Sequence, residues 1–290
     1  MFEGFTTTAI ETRETVINTL HGGSGRPLLL LHGYPQTHVM WHKIAPLLGE
    51  RFTVVATDLR GYGDSGKPPS DPGHRAYSKR VTAQDQVEVM AALGFNSFFV
   101  AGHDRGGRVA HRMALDHPDK VDKLAVLDIV PTHKIFSTVS KEVATGYYHW
   151  FFLIQGNNLP ETLIGRDPAY YLTAKLGHWS ANMDGFTDEA LAEYIRCFSD
   201  PATIHASCED YRAAASIDLD HDEADMHRKV ECPLLVLWGD RGLMERNYDV
   251  LATWRERASH VRGHKLPCGH FLAEERPDET LAHFMGFFAH

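Results

Sequence analysis

Residues Phe98-Phe99-Val100-Ala101-Gly102-His103-Asp104-Arg105-Gly106-Gly107-Arg108 constrain this chain more than any other stretch. An apolar run typical of a strand buried on both faces leads into Gly-x-Asp-x-Gly, and Arg108 to His117 then reads as a helix. Strand, sharp turn and helix in that order hold one side chain at the edge of a parallel sheet, beside a helix N-terminus. Glycines two before and two after Asp104 let strand and helix approach closely around the turn. Serine is the commoner nucleophile at such a turn; here the position belongs to Asp104. Taken alone, Asp104 reads equally well as a helix N-cap. Its partners elsewhere in the chain favour the catalytic reading.

On either side of this stretch, strand and helix signals alternate. Thr12 to Leu20 reads as a strand, and Leu28-Leu29-Leu30-Leu31 as a strand buried on both faces, ending in the loop His32-Gly33-Tyr34-Pro35. Trp41 to Leu48 is a short amphipathic helix and Phe52 to Ala56 a further strand. The glycine-rich loop Asp58-Leu59-Arg60-Gly61-Tyr62-Gly63-Asp64-Ser65 follows, then a helix over Lys79–Leu93. Leu124 to Leu127 is a strand ending in Asp128. The pattern then breaks, and 132–216 is aromatic-rich and helical in period. It resumes with a strand at Pro233–Trp238, a helix over Glu245–Arg257, a weak strand at His264–Leu266, Gly269-His270, and a closing helix from Pro277 to Phe288. This describes an α/β, mostly parallel doubly wound sheet with an inserted helical cap. The expected division is core 1–131, cap 132–216 and core 217–290.

Composition narrows the partners. A formal net charge of −9 disfavours nucleic acid and anionic membrane surfaces. No run is long enough to span a membrane, and the opening residues carry no signal-peptide pattern, so a cytoplasmic protein is expected. Cys197, Cys208, Cys232 and Cys268 follow no metal spacing and read as reduced thiols. No metal or cofactor is expected.

The elbow, the His-Gly-x-Pro loop, the Asp-x-Arg-Gly-x-Gly-x-Ser loop and the late Gly269-His270 together resemble the α/β-hydrolase superfamily. Within it the chain is most similar to the fluoroacetate (haloacetate) dehalogenases. The carrying residues are His103 to Arg108, His111 to Pro118, His149-Trp150, Asp210-Tyr211-Arg212-Ala213 and Gly269-His270. Epoxide hydrolases, close relatives, usually carry Trp after the nucleophile, where this chain has Arg105. The resemblance implies a homodimer.

A carboxylate attacks saturated carbon well but serves acyl transfer poorly, since attack on an ester only yields an anhydride. Asp104 therefore points to displacement at an sp3 carbon, with hydrolysis of the resulting ester in a second step. His270 is the candidate base, and backbone N–H groups of Tyr34 and Arg105 the candidate oxyanion hole. Many α/β-hydrolases place the acid that orients the base as Trp-Gly-x-x-Asp; here Gly242 fills that slot and Asp240 falls two residues early. Asp128 also matches the position used in the dehalogenases, and is expected to orient His270, with Asp240 a solvated turn residue.

Arg105 and Arg108 lie in the first turn of a helix, where the macrodipole disfavours cations by roughly 0.3–1 kcal/mol. They read either as partners of Asp104 or another acid, which would sequester the nucleophile, or, the favoured reading, as a clamp for the carboxylate of a small anionic haloacid, because a guanidinium fork matches a carboxylate bidentately. His149, Trp150 and Tyr211 each donate a hydrogen bond, and the resemblance makes them a halide pocket. Trp179 and Tyr147 are candidate lining of the cap cavity, and His32 and Asp58 read as loop-shaping. The expected reaction is hydrolysis of fluoroacetate or a similar 2-haloacid to glycolate and halide. Epoxide hydrolysis on the same Asp-His-Asp machinery is the alternative, with the two arginines against it. A non-catalytic receptor on the same fold has the intact Asp104, His270 and Asp128 against it.

Overall fold

Leu28 to Leu31 have no exposed surface at all, which is what a strand covered on both faces requires. Each such leucine contributes roughly 1.5–3 kcal/mol of burial. The run forms β3 (Arg26–Leu31) of the computed structural model, which describes residues 1–289. The remaining strands are β1 (Thr6–Glu11), β2 (Val16–Gly23), β4 (Phe52–Thr57), β5 (Phe98–His103), β6 (Val121–Leu127), β7 (Leu234–Gly239) and β8 (Val261–Leu266). They form one sheet in the order β1-β2-β4-β3-β5-β6-β7-β8. β2 is antiparallel to β1 and β4, and every pair from β4 to β8 is parallel.

The chain leaves β3 toward β4 on one side and returns to β5 on the other, so the order reverses at β3. Ligands of open α/β sheets bind at the carboxyl ends of the strands beside such a reversal. The register puts those ends level: Leu31 pairs with Gly102, Gly102 with Val126, and Leu127 with Leu237. The loops carrying Tyr34, Asp104 and Asp128 therefore leave the sheet side by side.

Between β6 and β7 the chain is helical from Thr132 to Ala224. Two of these helices start where Asp precedes Pro. Asp167 accepts from Tyr170 N–H at 3.0 Å, and Asp200 from Ala202 N–H at 2.9 Å. Proline at the first helical position lacks only an N–H that would have no partner there. The helix expected over 245–257 is two, Leu243–Asn247 and Val250–Arg255. Tyr248 is extended between them and Asp249 caps the second through Ala252 N–H at 2.9 Å. β1 was not legible in the sequence: it is an edge strand of threonines in which Ile10 is the one buried residue. No helix among the described residues is long and apolar enough to cross a membrane.

Candidate active site

Asp104 sits between β5 and the helix Arg105–Asp116 with φ 45° and ψ −113°. A non-glycine residue held there costs on the order of 1–3 kcal/mol. The close approach around it needs glycine. A Cβ on Gly106 would lie 2.4 Å from the His32 carbonyl oxygen, and one on Gly33 2.5 Å from Asp104 Cβ. Asp104 occupies the N-cap position yet its side chain accepts no bond from the helix. Instead Oδ2 accepts the Tyr34 N–H at 3.1 Å. Burial opposes the charge of this carboxylate, but the cations around it, His270 and Arg108 foremost, hold its pKa below the ordinary value.

Asp128 follows β6, also at positive φ (50°). Its Oδ2 is 2.6 Å from His270 Nδ1, and its Oδ1 accepts the Gly239 N–H at 3.0 Å. The two acid slots of the fold converge here, since a Cβ on Gly242 would stand 3.5 Å from both Asp128 carboxylate oxygens. Asp240 is exposed beside Arg241. His270 is fixed at its backbone as well, its N–H donating to Trp179 O at 2.9 Å. Its carbonyl lies 2.8 Å from Nε2 of His103. Burial pushes His103 to about 3, so its ring is neutral and serves to hold the His270 loop. Burial also opposes protonation of His270, but the bond to Asp128 and the charges of Asp128 and Asp104 raise its pKa overall.

The arginines divide their groups. Sequence reading gave both forks to a ligand carboxylate; the fork of Arg105 is instead taken by Asp210, with Nε at 2.7 Å and Nη2 at 2.9 Å. Asp210 also binds the Lys79 ammonium, and accepts from Tyr62 Oη at 2.8 Å. Nη1 of Arg105 is left buried without a partner. Arg108 is anchored through Nη1 to Val130 O at 2.8 Å and Thr132 Oγ1 at 3.2 Å, leaving Nε and Nη2 unpartnered. Burial without a paired carboxylate lowers the Arg108 pKa, with Asp104 opposing the shift.

From the cap, His149, Trp150 and Tyr211 come together over these guanidinium groups. The rings of His149 and Tyr211 are 5.3 Å apart and those of Trp150 and Tyr211 5.9 Å. The Arg105 guanidinium lies 4.1 Å from the Tyr211 ring centre, and that of Arg108 4.6 Å from Trp150. Tyr211 Oη and His149 Nδ1 are buried with no partner. Burial, reinforced by the charges of Lys175 and Arg105, holds His149 well below its ordinary pKa, so its ring is neutral. Tyr147 stacks on Trp150, the ring planes 4° apart. With Trp179 it lines a cleft of about 190 Å³ that reaches Asp128 and His270 between cap and core. His32 and Asp58 shape loops: His32 Nε2 accepts from Leu59 N–H at 3.0 Å, and Asp58 from His38 N–H at 2.8 Å.

The sheet order above agrees with the comparisons. The family described as alpha/beta hydrolase fold matches residues 26–277. The chain belongs to that family. Among its relatives, the fluoroacetate dehalogenase of Burkholderia sp is 49% identical over 281 residues, covering 97% of this chain and 92% of that one. The soluble epoxide hydrolase of Corynebacterium sp. (strain C12) is 36% identical, covering 92% and 91%. A solved structure from Nostoc sp PCC 7120, described as an alpha/beta hydrolase, superposes with TM-score 0.99 at 65% identity over 100% of both chains. Within this α/β-hydrolase, sequence reasoning missed the roles of Asp210, Lys79 and His103. Asp210 stood in the quoted Asp-Tyr-Arg-Ala run, but its partner Arg105 lies 105 positions away.

Proposed function

We propose that this α/β-hydrolase dehalogenates fluoroacetate or a similar small 2-haloacid, giving the hydroxy acid and halide. The observation that carries the reading is the set of buried, unpartnered guanidinium N–H groups on Arg105 and Arg108, beside Asp104. Leaving buried donors of a charged group unpaired is costly, and a ligand carboxylate removes that cost. An uncharged substrate would not.

The two steps follow from which atoms are free. Tyr34 N–H holds Oδ2, so Oδ1 attacks the halogen-bearing carbon as the carbon–halogen bond breaks, and the halide leaves with the bonding pair toward His149, Trp150 and Tyr211. Oδ2 is then the carbonyl oxygen of an alkyl ester, already against the donor that stabilises an oxyanion there. Esterification removes the Asp104 charge that supports the His270 imidazolium. The His270 pKa thereby falls, so more of the ring is in the neutral form that can accept a proton at the step that needs one. The ring takes a proton from water as the hydroxide adds to Cγ of Asp104; the imidazolium gives that proton to the departing alkoxide as the tetrahedral intermediate collapses, releasing the hydroxy acid, and the carboxyl proton of Asp104 passes to solvent, restoring the carboxylate. Residues 132–216 act as the cap that closes over this chemistry.

Tyr211 and His149 favour a second reading, since two unbonded donors suit an epoxide oxygen as they suit a halide. Halide-selective detection on fluoroacetate, chloroacetate and 2-halopropionates, beside a panel of epoxides turned over to diols, separates the two. Halide release from haloacetates without diol formation is expected; diol formation alone would overturn the reading.

A further inference from the structure

Four polar groups on the cap side have no partner: the donors Tyr211 Oη, Trp179 Nε1 and Lys175 Nζ, and the ring nitrogen Nδ1 of His149. They form a string. The Tyr211 ring, which feels the charge of Asp104, is 5.3 Å from that of His149, and His149 is 4.5 Å from Trp179. The Lys175 ammonium lies 5.3 Å from the Trp179 ring and 3.3 Å over that of Tyr148. Tyr148 is 45% exposed, so the string runs from the leaving-group pocket to the cap surface.

Lys175 is the anomaly. It is 2% exposed, and none of its three N–H groups meets an acceptor among the described residues. The helix Pro168–Trp179 that carries it could have kept this long side chain in water, where lysine ordinarily keeps its charge. Burial lowers its pKa to about 7, and the ring faces of Tyr148, Tyr171 and Trp179 are the stabilisation it has. A cation with three free donors between aromatic walls suits a small anion with no bulky substituents. The carboxylate of a haloacid has the guanidinium donors deeper in the site; the halide has none beyond His149, Trp150 and Tyr211.

We propose that Lys175 and Trp179 form a second halide site, one residue layer outside the pocket of His149, Trp150 and Tyr211, that receives the halide on its way to solvent. The inference takes its ligand from the dehalogenase reading and its geometry from the cap alone. If Lys175 served only to pack against Tyr148, an isosteric apolar chain would replace it without affecting halide binding.

Bromide is the probe, located by its anomalous scattering in soaked crystals of the full chain and of the Lys175→Met and Lys175→Arg variants. Two peaks are expected in the wild type, one among His149, Trp150 and Tyr211 and one in contact with Lys175 Nζ. The second is expected to vanish in Lys175→Met and persist in Lys175→Arg. A wild type with no peak at Lys175 overturns the proposal, and a peak that survives Lys175→Met marks an adventitious ion only. In solution, fluoride inhibition of chloroacetate turnover is expected to weaken about tenfold in Lys175→Met, the loss of one charge-assisted hydrogen bond, and to hold in Lys175→Arg. Equal inhibition in all three proteins overturns the proposal too. Failure of every haloacetate to turn over would refute the dehalogenase reading, while the bromide peaks would still decide the site.

Discussion

The core side and the cap side of the site handle hydrogen bonds in opposite ways. On the core side the groups are bonded to one another: Tyr34 to Asp104, His270 to Asp128, Asp128 to Gly239, His103 to the His270 carbonyl. On the cap side, Tyr211 Oη, His149 Nδ1, Trp179 Nε1 and Lys175 Nζ are buried with no partner. A buried donor left unmade costs about 1–3 kcal/mol, more when charged. The Asp104, His270 and Asp128 groups are thus fixed before a ligand arrives, whereas the cap groups, with the free Arg105 and Arg108 N–H groups of the core beneath them, are completed by one. On the proposed reading, the difference puts the anion beside the donors that lack acceptors.

The sharpest way to break that contrast is on the core side. His270→Asn should lower steady-state turnover on the order of 10⁶-fold, by analogy with loss of a catalytic histidine that acts as one unit with its partners. One equivalent of halide should still appear, because displacement by Asp104 does not need the base. Mass spectrometry should show Asp104 esterified; an unmodified protein would remove His270 from the second step alone. Asp128→Asn should cost about 10⁴-fold, since the orienting carboxylate of a catalytic histidine has that precedent. Its check is kcat, with circular dichroism to exclude unfolding.

On the cap side effects should be smaller and should depend on the halogen. Trp150→Phe keeps an aromatic ring under Arg108 and removes the indole N–H. A barrier increase on the order of 2–4 kcal/mol is expected for fluoroacetate, as for loss of one oxyanion-hole donor, and markedly less for chloroacetate. Equal losses in kcat/KM would mean that Trp150 shapes the cavity and does not solvate the halide.

A pH profile sharpens the comparison without mutation. The Asp104 pKa is held down against burial by His270 and Arg108, so this carboxylate, the proposed nucleophile, stays ionised as pH falls through the range where His270 protonates. The kcat/KM for displacement should therefore hold at acid pH after kcat, which waits on neutral His270, has begun to fall. Coincident acid limbs would place both steps under one group. The smallest effect is expected outside both regions: Asp240→Asn, exposed at a turn, should change kcat less than about twofold and stability within about 0.5 kcal/mol.

What the sequence determined by itself is local. Gly102, Asp104 and Gly106 specify the turn because backbone approaching to 2.4 Å of a would-be Cβ tolerates no side chain, and that requirement spans a few residues. The buried runs of β3, β5 and β7 are legible because both faces of a parallel strand are covered. The acid slot is legible too, since Gly242 cannot supply a carboxylate. β1 lacked that signal, because an edge strand of threonines need not bury one face strongly. The break at Tyr248 was hidden inside a continuous helical period. Tertiary structure alone decided how charges share partners. Whether Arg105 offers its fork to a ligand or to Asp210 depends on how the cap settles on the core, 105 residues on. Whether Lys175 reaches water depends on the aromatic rings around it. Sequence periodicity reports which face of an element is apolar, and says nothing of which buried cation will find its anion.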